Sequence, residues 1–238
     1  MRAGCALLIA AALLVCAAPA SAQTTGDLPY LDAVDAWADG QSLRRLLPGA
    51  GAQQQPRAKK PTARQLAALR FKRTDAVKQS SYQAVMALLE PGFDPAVLTA
   101  DLDRITAMMH KDLRHLSGHW SPNNIADVAA FIQLAAYAAF TSRGSLPDRG
   151  VRAVQRAART RMALDKRVRR LSDTRTQQAA EMLEPRTILR VSDMNVGRMN
   201  GDAAHEQAAR GKLRAWIKES FGLDLGRVKL TRRGFVKR

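Results

Sequence analysis

Cysteine is almost missing from this chain. It has two, Cys5 and Cys16, and both lie in a leader whose removal leaves none. Arg2 gives the leader a positive start, Ala6 to Ala18 form an apolar run, and Ala20-Ser21-Ala22 places small residues ahead of Gln23. That order is expected of an export signal covering residues 1–22. A periplasmic or secreted protein without disulfides has to be held together by a packed core. The residues after Pro61 are enough for one such domain, burying about 70% of the surface the unfolded chain exposes.

Long hydrophobic runs are also lacking. The apolar part of the leader covers about 13 residues, short of the roughly 20 needed to span a bilayer, and no second run follows. Val15 stands where a lipid-anchoring signal wants a small residue before Cys16, so neither a transmembrane segment nor a lipid anchor is expected. Aromatic residues make up only 5% of the chain, too few to offer base-stacking platforms. There is no glycine-rich phosphate loop, no GxSxG elbow and no cysteine nucleophile after the leader. The serines and carboxylates show no spacing that joins a nucleophile to a base and an orienting group. No catalytic residue and no cofactor is implied.

Positive charge is abundant. Lys and Arg number 38 against 21 acids, a formal +17, of which the leader carries only Arg2. Eleven basic residues fall between Arg143 and Arg175, where the acids are Asp148, Asp165 and Asp173. Between Asp94 and Asp127 five acids face Arg104, Lys111 and Arg114. Such asymmetry favours encounter with polyanions, and Arg152, Arg156, Arg159, Lys166, Arg167, Arg169 and Arg170 are the candidate contacts. The partners it suggests are anionic envelope components, lipopolysaccharide or a phospholipid surface, or another protein. Nucleic acid ranks below these for want of aromatics. General solubility explains the same charge without any partner.

The periodicity is helical throughout. Residues 23–61 hold a short amphipathic segment around Leu31 to Trp37 and then PGAGAQQQPRAKKP, a flexible linker by composition. A domain over 62–238 follows. One helix starts behind Thr74 and Asp75 and stops at Pro91-Gly92, and a second starts at Asp94-Pro95. Ser121-Pro122 repeats that cap-and-proline device ahead of Ile125 to Phe140, which is apolar nearly all round and belongs at the centre of a bundle. Pro147 opens a helix with Arg149, Arg152, Arg156 and Arg159 opposite its apolar face. Pro185 should break or kink the segment Asp173 to Asn200. The last helix runs from about Asp202 to Phe221 and closes on Gly222. Beyond it the alternating leucines suggest an extended tail. The fold class is all-α, a single-domain bundle of about six helices around a buried central one, monomeric or weakly oligomeric.

Asn124-Ile125-Ala126-Asp127-Val128, Gln178-Ala179-Ala180-Glu181, Gly222-Leu223-Asp224-Leu225, Leu230-Thr231 and Gly234-Phe235 resemble the signature of an uncharacterised family of exported bacterial helical proteins, classed as a domain of unknown function. The resemblance covers roughly Ala68 to Val236. It implies export and an all-helical domain, and it transfers no reaction.

Three sets of polar residues carry alternatives. Asn124 and Asp127 enter a greasy helix at its first turn, either as its cap or as a polar pocket with Gln133 and a base such as Arg104 or Arg114. His110, Asp112, His115 and His119 lie within ten residues. They are either a polar cluster at a helix end, complementing its dipole, or a zinc or copper site of a metal-dependent protein or enzyme. The pairs Asp101/Asp103 and Glu181/Glu184 are expected on solvated faces or beside arginines. The function expected is that of an exported, non-catalytic binding or interaction protein of the cell envelope, able to contact polyanions through a basic helical face.

Overall fold

A computed structural model of the chain describes residues 60–86, 95–115 and 119–238. The expected leader, the short segment near Trp37 and nearly all of the linker lie outside the described residues. Seven helices occur among those described: α1 (Ala63–Ala67), α2 (Asp75–Met86), α3 (Pro95–His115), α4 (Ile125–Phe140), α5 (Asp148–Leu164), α6 (Asp173–Met199) and α7 (Ala203–Phe221). A two-stranded hairpin, β1 (Val228–Thr231) and β2 (Gly234–Lys237), closes the chain. The architecture is an all-α single domain with this small sheet appended.

α4 is the core. Every residue from Ile125 to Ala139 is buried, and α5, α6 and α7 all pack on it. An all-round apolar helix can satisfy its surface only by being enclosed in this way. Its start is fixed by the chain before α2. Ile125 N–H donates to Leu69 O at 3.1 Å, Phe71 N–H donates to Asn123 O at 3.0 Å, and Arg70 bridges to Asn124. The cap is Asn124 rather than Ser121-Pro122, which forms the turn ahead of it.

α1 is a helix beyond the six expected. Its five residues are held by a capping box in which Gln65 N–H donates to Thr62 Oγ1 and Thr62 N–H donates to Gln65 Oε1 at 2.8 Å. α6 runs unbroken through Pro185. The proline deletes one main-chain bond to the Glu181 carbonyl, and packing against α2, α3, α4 and α7 keeps the helix continuous where the local rule alone would end it. α7 ends on Gly222 in the left-handed conformation, φ 65°, with its N–H on Lys218 O.

The tail folds back on itself. Leu230 pairs with Phe235 and Thr231 with Gly234, so Arg232-Arg233 form the tip. The hairpin lies on α5 and on the end of α4: Leu230 N–H donates to the Tyr137 hydroxyl at 3.1 Å, and the Tyr137 and Phe235 rings meet edge to face. Gly150 permits the approach, since a Cβ there would stand 2.6 Å from Thr231 O. No helix among the described residues is long and apolar enough to cross a membrane.

Candidate functional site

α5 carries charge on the side away from the core. Val151, Val154, Ala158 and Met162 are buried, while Arg149, Arg152 and Arg156 are exposed. Spacings of three and four residues put those three arginines on one stripe. None is paired with a carboxylate among the described residues. Past the end of the helix, Lys166 and Arg170 are exposed as well. Arg167 is exposed but forks onto Asp165 at 2.9 Å, and this hydrogen bond holds the Asp165 carboxyl below its ordinary range. Arg169 is half-buried.

Arg159 is positioned differently from its neighbours. Its guanidinium donates through Nε to Asp127 Oδ1 and through Nη2 to Asp127 Oδ2, both at 2.7 Å, and Nη2 also meets His119 O. Asp127 is 0% exposed and takes further bonds from Gln155 Nε2 at 3.1 Å and Ser121 N–H at 2.9 Å. A buried carboxylate with a bidentate arginine and two other donors has its acceptor capacity filled. Asn124 caps the same helix end, its side-chain oxygen accepting from the N–H of Ala126 and Asp127. Gln133 is buried farther along α4, donating to Ala129 O at 3.1 Å. The structure thus joins Asn124, Asp127 and Arg159 and leaves Gln133 apart.

A second charged group lies between α6, α3 and Arg73 and Thr74, the two residues ahead of α2. Gln177, Glu181 and Glu184 share one face of α6. Arg73 donates to Glu181 Oε1 at 2.8 Å and to Glu184 Oε1 at 2.6 Å, while also reaching Pro122 O. His110 Nε2 is 3.1 Å from Glu184 Oε2. Gln177 donates to Thr74 O and to Glu181 Oε1. Glu181 and Glu184 are buried beside an arginine and do not sit on a solvated face. Burial pushes the Glu181 carboxyl above its ordinary range against the pull of Arg73, and the Glu184 charge adds to the rise.

Among the described residues, His110 and His119 are in different surroundings. His110 belongs to the glutamate group, and His119 is exposed with φ 52°. The side chains of Asp112 and His115 lie outside the described residues. No group of three or more His, Cys, Asp or Glu is placed to hold a metal ion among the described residues. Sequence reading overlooked Arg232 and Arg233, exposed at the hairpin tip just after Thr231, whose carbonyl faces Gly150, because two adjacent arginines in a short tail carry no period.

Residues 2–238 match the model of a family whose description is "Family of unknown function (DUF6683)". No curated protein and no solved structure matches the chain.

Proposed function

The chain belongs to this family of unknown function, and we propose its role from its own residues: a non-catalytic binding protein of the cell envelope that meets anionic partners through the arginine face of α5 and the turn after it. The observation that carries this reading is the stripe Arg149, Arg152 and Arg156, exposed and without a carboxylate partner. Arginines at 1.5 Å rise per residue span about 10 Å here, close to one Debye length at physiological salt, so they act on a polyanion together. The two buried charged groups support a binding role in another way. Their ionic partners are spent on one another, holding α4, α5 and α6 in place behind the face. The leader that the sequence suggests would bring this face to the envelope.

Retention on immobilised heparin tests the reading. The chain should elute at a salt concentration that falls clearly for Arg149→Gln/Arg152→Gln/Arg156→Gln, while its melting temperature stays within a few degrees of wild type because the three side chains are exposed. Unchanged elution of the triple variant would remove α5 as the binding face.

A further inference from the structure

The hairpin tip adds a second element to the arginine stripe. A Cβ on Gly150 would meet Thr231 O, and one on Gly234 would lie 3.7–3.8 Å from Ala153 and Val154, so the turn holding Arg232 and Arg233 lies beside the first two turns of α5. Helical geometry puts Gly150, Ala153 and Val154 on one flank of the Arg149–Arg152–Arg156 stripe. Arg232 and Arg233 are exposed, and neither is paired with a carboxylate among the described residues. The five exposed arginines thus come from two elements that pack against each other. Leu66 and Met199 are the exposed large apolar side chains among the described residues, and neither belongs to α5 or the hairpin. The face consequently has no large apolar side chain to insert into an acyl layer and no exposed aromatic ring to stack on a base. What it offers is positive charge from a helix and a hairpin packed side by side, complementary to an array of phosphates.

We infer that α5 and the hairpin tip form one composite docking face for the phosphate headgroups of an anionic phospholipid surface, held at the headgroup level by charge alone. The inference rests on the proposed basic-face reading and adds to it the Arg232-Arg233 tip and the identity of the partner.

The test is sedimentation with vesicles, using the chain from Gln23 onward. Vesicles of phosphatidylcholine with about 30% phosphatidylglycerol should bind it, and vesicles of phosphatidylcholine alone should not. Arg232→Gln/Arg233→Gln should weaken binding about tenfold to thirtyfold, as expected for two cations at an anionic surface. Arg175→Gln/Lys218→Gln removes the same charge from α6 and α7 and should leave binding near wild type. Equal loss in both double variants would show that net charge alone matters and would overturn the composite face. If the tip variant binds like wild type while the α5 triple variant fails, the tip is wrong and the α5 reading stands. Binding to heparin or duplex DNA without binding to anionic vesicles would overturn the lipid partner while sparing the basic face. No binding to any of these polyanions would sink both.

Discussion

Arg73 holds two buried carboxylates at once, and Glu184, itself 0% exposed, links it to His110. Removing the guanidinium leaves both acids without their cation, so Arg73→Met should cost about 3–5 kcal/mol in unfolding free energy. Glu181 makes the pH dependence specific. Its native pKa is raised above the ordinary 4.5 by burial first. A raised pKa means that the native state holds the proton more tightly than the unfolded chain. The stabilisation is then complete below the ordinary value and lost as the pH climbs through the native one. Glu181→Gln keeps the neutral shape at every pH. From pH 4 to pH 8 the wild-type melting temperature should fall more, or rise less, than that of the variant. Parallel curves would show that Glu181 titrates as it does in the unfolded chain.

The helices differ in how much of their placement could be read in advance. α4 was legible because its composition leaves only one physical solution, enclosure by other helices. Gly222 was legible because a left-handed terminus selects glycine. The break that Pro185 offered does not occur, because the rule against proline in a helix is local, whereas α6 is held by packing on four other helices. The charged groups were illegible because their members are distant, 32 residues apart for Asp127 with Arg159 and 111 for Arg73 with Glu184. The alternating leucines made the extended tail legible, but not its return as a hairpin, because Arg232-Arg233 is not one of the glycine- or asparagine-containing pairs that signal a two-residue turn.

Contact between α6 and α7 gives another prediction. A Cβ on Gly197 would stand 2.5 Å from Glu206 N and 2.7 Å from His205 Cδ2, and main chain cannot yield without moving α7. Gly197→Ala should therefore destabilise by about 1–3 kcal/mol, opposite to what helix propensity alone gives. Gly211, in α7, has nothing within 4 Å of an added Cβ. Gly211→Ala should stabilise by roughly 0.5–1 kcal/mol. Thermal unfolding of the two variants, compared with wild type, reads both signs.

Taken whole, the molecule separates its charges by purpose. Arg73 and Arg159 are committed inward to carboxylates, and Arg149, Arg152, Arg156, Arg232 and Arg233 are left in water. Exposed cations add little to stability and act instead on association, which salt screens. The decisive measurement is the binding constant for a heparin oligosaccharide at several salt concentrations, for wild type and the α5 triple variant. Each cation that releases a counterion from the polymer contributes to the slope of log K against log salt. The proposed face predicts a steep negative slope in wild type and a clearly shallower one in the triple variant. Equal slopes would mean that the anion binds elsewhere.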